Sequence, residues 1–134
     1  MRKLFLALVF AGAALAAVAL VYASERLPDA PEPIVWDREA CAHCQMHVGD
    51  PAFAAQAIDT DGRVYNLDDP GWLLAWRGDR ALARVWFHHR SEDRWLPIDR
   101  VGFVTVSGSP MGWNVAAVDA ATPGALTPAE AVRR

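Results

Sequence analysis

The chain has 134 residues and a formal charge of -3 at pH 7, which allows one small domain. Beyond Arg2 and Lys3 it has 16 acidic and 11 basic residues, no lysine, and scattered arginines. This distribution excludes a nucleic-acid-binding role, because such a role needs a basic patch.

The N-terminal segment has the pattern of an export signal. Arg2 and Lys3 precede an uncharged, apolar run over residues 4–23. Its length matches a membrane span, which favours an uncleaved anchor over residues 1–23, although Ala23 also fits the end of a cleavage site. With the basic start in the cytoplasm, the rest of the chain would lie on the periplasmic side of the inner membrane.

A change in composition follows the apolar run. Residues 24–35 are rich in proline, which is typical of an extended linker that would hold a domain off the membrane. We expect the domain over residues 36–119 and a C-terminal tail over residues 120–134. Residues 34–36 fit either a first short strand or a docking segment.

The first half of the domain predicts a hairpin followed by a helix. Strands are expected at residues 53–59 and 63–67, joined by a turn at residues 59–62 in which Asp-Gly supplies the positive φ. A helix over residues 71–76 follows, with Asp69 as its N-cap.

The second half predicts further strands and weaker helices. Strand patterns lie at residues 83–89, 103–106 and 113–118, and a helical turn is expected at residues 98–102. Residues 127–130 have the Thr-Pro-Ala-Glu pattern of a capping box. This order predicts an α+β fold, a small domain of antiparallel sheet preceded by an N-terminal apolar helix.

One segment concentrates possible metal ligands. Within seven consecutive residues stand Cys41, His43, Cys44, Met46 and His47. Sulfur donors select Cu(I), whereas imidazole suits copper, zinc and iron alike. Singly, the methionine fits core filler and the cysteines fit the disulfide of an exported protein. Together, the density of donors favours a metal site.

The same segment has features of three other kinds of site. Cys41 and Cys44 have the spacing of a thiol–disulfide oxidoreductase, but a turn and a hairpin follow them instead of a helix. Covalent haem is excluded because Gln45 occupies the position of the required histidine. A zinc site usually needs a second pair of ligands that is distant in sequence, and only His88 and His89 could provide it. A membrane-anchored assembly protein with a structural disulfide and no metal stays open.

Five stretches between residues 41 and 118 match, in order, the motifs of one family. They are Cys44-Gln45-Met46, the Ala-Gln-ending segment 50–56, the Asp-Gly-x-x-Tyr segment 61–69, the tryptophan segment 94–99 and the Ser-Pro-Met-Gly loop 109–112. The chain thereby resembles the NosL family of copper chaperones, which accompany nitrous-oxide reductase. Gln45 stands where the family has glycine, and the family's lipid-anchor cysteine is absent.

The resemblance implies an α+β fold of two strand–strand–helix halves and a Cu(I) site at Cys44 and Met46. Further donors are expected among Cys41, His43, His47, His89 and Met111. The hard carboxylates of Asp68 and Asp69 are expected to cap the next helix rather than to bind Cu(I).

The function expected from the resemblance is transfer, not enzymatic catalysis. A periplasmic Cu(I) chaperone would deliver its ion to a copper-receiving protein, nitrous-oxide reductase or its assembly machinery. No catalytic residues are expected, and the inner membrane is the other expected partner, through residues 1–23.

Overall fold

The computed structural model describes residues 2–24 and 27–133. Residues 1, 25, 26 and 134 belong to the predicted anchor, linker and tail and lie outside the described residues. The helices and strands are α1 (Arg2–Ser24), β1 (Ala55–Asp59), β2 (Val64–Leu67), α2 (Pro70–Arg77), β3 (Leu82–His88), β4 (Trp95–Pro97), β5 (Val101–Thr105), β6 (Val115–Asp119) and α3 (Pro128–Ala131).

The helix α1 is long and apolar enough to cross a membrane. Its window Phe5–Tyr22 has a mean hydropathy of 2.5, and none of that window is buried against the rest of the protein. Eighteen such residues rise about 27 Å along a helix, close to the thickness of the bilayer hydrocarbon. Length and composition fit a membrane span and a signal sequence equally.

A four-stranded antiparallel sheet in the order β2-β1-β3-β4 forms most of the domain. At one end Ile58 pairs with Val64 and Arg84; we call this the turn end, because the β1–β2 turn closes it. At the other end Ala55 pairs with Leu67 and Phe87. We call that the cap end, because Asp69 caps the start of α2 there.

The remaining strands form a separate antiparallel pair, β5 with β6. The two sheets share one core, in which Phe87 and Phe103 are fully buried and meet edge to face at 5.1 Å. The α+β prediction is therefore confirmed. Two strand–strand–helix units are present, β1-β2-α2 and β5-β6-α3, and β3 and β4 between them extend the first sheet.

Local signals in the sequence account for most element boundaries. In the β1–β2 turn, Gly62 has a φ of 83° and donates its N–H to Asp59 O at 3.1 Å, as the Asp-Gly pair predicts. The Oδ1 of Asp69 accepts the N–H of Gly71 at 2.9 Å, as an N-cap should. The capping box of α3, from Thr127 to Glu130, is complete.

Of the helical turn predicted at residues 98–102, only a single hydrogen-bonded turn at residues 98–100 forms. Arg100 donates its N–H to Pro97 O in one tight turn, and the chain enters β5 at Val101. Val101 and Phe103 are buried and paired with β6, so tertiary packing outweighs the weak local helical pattern.

The segment predicted as a linker contacts the domain. Asp29 Oδ1 lies 3.6 Å from Arg84 Nη2, and Glu32 exchanges two hydrogen bonds with the side chain of Gln56. No strand forms at residues 34–36. Trp36 instead packs edge-on to His88 with ring centroids 6.3 Å apart, which agrees with the docking alternative.

Candidate metal centre

The loop between residues 41 and 46 is closed by its own backbone. Cys41 donates its N–H to Met46 O at 2.7 Å, and Gln45 donates its N–H to Cys41 O at 3.0 Å. Gln45 has a φ of 63°, a left-handed conformation, and its Nε2 also donates to Cys41 O at 3.2 Å. The reversal brings the side chains of Cys41 and Cys44 together.

The loop docks on the cap end of the sheet. Ala42 donates its N–H to Asn66 O at 2.8 Å, and the backbones of Ala40 and His47 form an isolated antiparallel bridge. Because Asn66 lies in β2, this contact sets the loop beside Asp68. The Cys44 Sγ lies 3.6 Å and 3.7 Å from the two carboxylate oxygens of Asp68.

Cys41, Cys44 and Asp68 form a compact group of possible ligands. One atom from each, two Sγ and one carboxylate oxygen, lie within 4.8 Å of one another. Both cysteines are free, Cys41 is fully buried, Asp68 is 4% exposed and Cys44 is half-buried. Metal–thiolate bonds of about 2.3 Å place two sulfurs of one ion at most about 4.6 Å apart, so the group has the dimensions of a metal site.

Burial raises the pKa of the Cys41 thiol to about 11. Its contact with the Asp68 side chain also raises the pKa, while backbone hydrogen bonds from the loop and from Asp68 oppose the rise. The thiol is therefore protonated at neutral pH when no ion is bound. A bound cation would displace that proton, because the thiolate is the form that coordinates metals.

The other predicted donors of the loop lie on its outer side. Met46 is 49% exposed, so it is not core filler. His47 is exposed, and the exposed ring of His43 stacks on Trp72 with centroids 3.9 Å apart. Among the described residues, neither histidine belongs to the group of Cys41 and Cys44.

Met111 lies on a second loop attached to the cap end. Asp69 Oδ2 accepts the hydroxyl of Ser109 at 2.6 Å and the N–H of Met111 at 3.1 Å. The same carboxylate caps α2 through its other oxygen. Two sulfur-bearing loops therefore contact consecutive carboxylates, Asp68 and Asp69.

The role predicted for Asp68 was wrong. Asp69 caps the helix as predicted, but Asp68 instead faces the thiol of Cys44. Pro70 already marks Asp69 as the N-cap in the sequence, and only one residue can occupy that position. Asp68 is therefore left for another partner, which the expectation that both carboxylates cap the helix overlooked.

His89 belongs to a different cluster. Its Nε2 lies 3.8 Å from Glu92 Oε1 and 3.8 Å from Asp119 Oδ2, and its ring is buried. Arg94 binds both carboxylates, with Nε at 2.6 Å from Glu92 and Nη1 at 3.0 Å from Asp119. The carboxylates already have a cationic partner, so the cluster is an ion-pair network.

His88, the neighbour of His89, is also buried and has different contacts. Its ring meets Trp36 and Trp95 edge-on, and its Nε2 lies 3.2 Å from Asp93 Oδ1. These contacts account for the burial of the His88 ring, so a bound metal is not needed to explain it.

An aromatic wall adjoins the thiol loop. Trp72, under the ring of His43, meets Trp113 at 5.9 Å, and Gly71 allows this because a β-carbon there would lie 2.4 Å from Trp113. The Nε1 of Trp72 is buried and has no hydrogen-bond partner among the residues described. The thiol loop contacts this wall through His43.

Comparisons with protein-family models, with curated proteins and with solved structures found no match to this chain.

Proposed function

We propose that this protein binds Cu(I) at Cys41 and Cys44 and passes the ion to a partner protein on the periplasmic side of the inner membrane. The observation that supports this most is the pair of free thiols within 4.8 Å of each other and of the Asp68 carboxylate. Soft thiolates favour Cu(I), and a carboxylate nearby balances the charge of a bound cation.

The sulfur content around the loop favours copper over zinc. A structural zinc site needs four donors, and three residues of suitable type are grouped here. Thioether sulfur is a poor zinc ligand but suits Cu(I), and exposed Met46 is in the same loop. Met46 is the third donor we expect, because among the described residues neither His43 nor His47 belongs to the group of Cys41 and Cys44.

Unequal burial of the two thiols supports transfer rather than storage. Cys44 is half-buried and Met46 is exposed, whereas Cys41 is sealed from solvent. An incoming ligand of the partner can bind the ion from the side of Met46 before the inner sulfur releases it. Each thiol loses its proton when the ion binds and regains it when the ion leaves.

The resemblance of five sequence motifs to the NosL family supports nitrous-oxide reductase or its assembly machinery as the recipient. The apolar helix α1, with Arg2 and Lys3 at its start, supports retention in the inner membrane with the domain in the periplasm.

The test is an anaerobic Cu(I) titration of the full chain against a competing chelator. We expect one tight ion per chain, with Cys44→Ser and Met46→Leu each binding at least about tenfold more weakly because a soft donor is lost. Gln45→Gly is the matched control, since glycine accepts the left-handed φ and no sulfur is removed. Parent-like binding by both donor variants would contradict the proposal.

A thiol–disulfide oxidoreductase is the alternative that the Cys-x-x-Cys spacing favours. In that case the chain would reduce insulin disulfides, and Met46→Leu would be as active as the parent. The burial of the first cysteine and its raised pKa oppose it, because a reactive thiol is exposed and has a lowered pKa.

A further inference from the structure

The chain first meets the domain at the turn end of the sheet. Leu27 packs over Gly62, where a β-carbon would lie 3.7 Å from Leu27 Cδ2. Two residues later, Asp29 pairs with Arg84 at 3.6 Å. Gly62 lies in the β1–β2 turn and Arg84 pairs with Ile58, so both contacts are at the turn end.

From there the chain runs along the sheet toward the cap end. Glu32 bonds to Gln56 at 2.7 Å and 3.0 Å, and Ala42 then bonds to Asn66 at 2.8 Å. The thiol loop therefore contacts β2 near the cap end. Three residue steps, from Ile58 to Ala55, separate the two ends, which is roughly 10 Å.

The length of the chain limits how far the turn end can be from a membrane that α1 spans. The apolar window ends at Tyr22, and α1 ends at Ser24. Two helical residues and three further peptide steps reach Leu27, a distance of at most about 14 Å. A headgroup layer is about 5–7 Å thick, so the turn end must lie within or just above it.

Arginines line a cleft at this same end. Arg77 is in the last turn of α2, Arg80 follows it, and Arg84 is at the start of β3. The guanidinium of Arg80 lies 4.2 Å above the ring of Trp76, which holds it at the surface. One guanidinium group can donate two parallel hydrogen bonds to the oxygens of a phosphate. A cleft lined by arginines therefore suits a phosphate ligand.

Arg80 and Arg84 are exposed, and each uses one guanidinium N–H on a backbone oxygen, of Trp76 and of Ala83 respectively, so their other N–H groups stay accessible. Asp99 is the one carboxylate among the described residues that line the cleft. Asp59 is engaged within its own turn, by the N–H groups of Asp61 and Arg63 and by the hydroxyl of Tyr65. The side chain of Asp29 is almost fully exposed and holds Arg84 only at 3.6 Å, a surface pair that a phosphate can replace. Exposed Asp61, Asp79 and Asp99 make the net charge of the end small, so zwitterionic headgroups suit it as well as anionic ones.

We propose that the cleft lined by Arg77, Arg80 and Arg84 binds phospholipid headgroup phosphates, so that the turn end lies on the membrane and the thiol loop faces away from it. The inference rests on the part of the proposed function in which α1 is retained as an anchor. It replaces the expectation of a linker that holds the domain off the membrane. The copper partner then approaches from the aqueous side.

Depth-dependent quenching in liposomes tests the orientation. The full chain is reconstituted in phosphatidylethanolamine and phosphatidylglycerol with a headgroup-nitroxide lipid. A fluorophore is attached at Asp61→Cys or Met46→Cys in a Cys41→Ala, Cys44→Ala background. We expect several-fold stronger quenching at position 61 than at position 46. Equal quenching, or stronger quenching at position 46, overturns the proposal.

Arginine variants test the cleft itself. Replacing Arg77, Arg80 and Arg84 by glutamine should lower the quenching at position 61 toward that at position 46. Arg90→Gln is the matched control, because Arg90 is an exposed arginine just beyond β3 at the cap end, and it should leave the quenching unchanged. If the triple variant is quenched at position 61 as strongly as the protein with all three arginines, the cleft does not bind the headgroups and the proposal fails.

Hydrogen–deuterium exchange tests the membrane contact in the unsubstituted chain, so its result does not depend on whether the variants fold. In nanodiscs, compared with a maltoside detergent, residues 77–84 should exchange several-fold more slowly and residues 42–47 should not. Similar exchange of residues 77–84 in both media overturns the inference. Loss of the chain on carbonate extraction would remove the anchor and this inference together, whereas the Cu(I) titration is unaffected by either result.

Discussion

Asp68 and Asp69 are consecutive carboxylates with different partners. Asp69 is fully buried and accepts hydrogen bonds from Gly71, Ser109 and Met111. Asp68 is 4% exposed and faces the Cys44 thiol at 3.6 Å. In the Cu(I) site that we propose, this carboxylate would lie beside the ion.

Asp68→Asn should weaken Cu(I) binding. The amide keeps the shape of the side chain but removes the negative charge beside Cys44, and loss of such a partner costs about 10–100-fold in metal affinity. The chelator competition titration measures the change. Asp61→Asn is the control, because that side chain is exposed at the turn end. An affinity equal to that of the parent would show that the carboxylate does not contribute.

At this scale the sequence shows which possible donors are present but not all their surroundings. The density of Cys41, Cys44 and Met46 in one segment is visible without a structure. The contact of Cys44 with Asp68 is not, since it joins residues 24 positions apart through the docking of Ala42 on β2. The same long-range packing buries Cys41 and leaves Cys44 partly accessible.

Among the elements, α2 connects the two sulfur-bearing loops. Its N-cap holds the loop of Ser109 and Met111, and its first turn packs against Trp113. The cap was predictable because Asp69 and Pro70 are local signals. The attachment of the second loop was not, because it is 40 residues away in sequence.

Asp69→Ala should destabilise the domain. The substitution removes the cap of α2 and leaves the buried hydroxyl of Ser109 without its acceptor, at a cost of about 2–4 kcal/mol in the free energy of unfolding. Urea denaturation followed by tryptophan fluorescence measures it. Thr127→Ala, which removes the exposed cap of α3, should cost only about 1 kcal/mol. Comparable losses in the two variants would contradict the special role of Asp69.

In the whole molecule, the α+β class and the antiparallel pairing were predicted from turn signals and alternation, but the assembly was not. Local patterns do not state that β3 and β4 join β1 and β2, or that β5 and β6 form their own sheet. Arg94 is one of the contacts that join the sheets. Arg94 lies directly before β4 and binds Asp119, which is at the end of β6 and 25 residues away in sequence.

Acid should weaken this junction between the sheets. Hydrogen bonds from Arg94 are the main cause that lowers the pKa of both Glu92 and Asp119 in the folded protein, below their ordinary values of 4.5 and 3.8. Because the folded pKa values lie below the unfolded ones, the folded state binds fewer protons. The contribution to stability is complete above the ordinary values and is lost as the pH falls through the depressed ones.

We therefore expect the urea midpoint of the parent to fall as the pH drops below the ordinary pKa of Glu92, with a shallower fall in Asp119→Asn. That variant keeps the side-chain shape and one acceptor for Arg94 but no longer titrates, so part of the proton linkage disappears. Asp99→Asn, at an exposed position outside the network, should retain the slope of the parent. A slope in Asp119→Asn equal to that of the parent would show that the Arg94 network does not join the two sheets energetically, and other carboxylates would then account for the acid sensitivity.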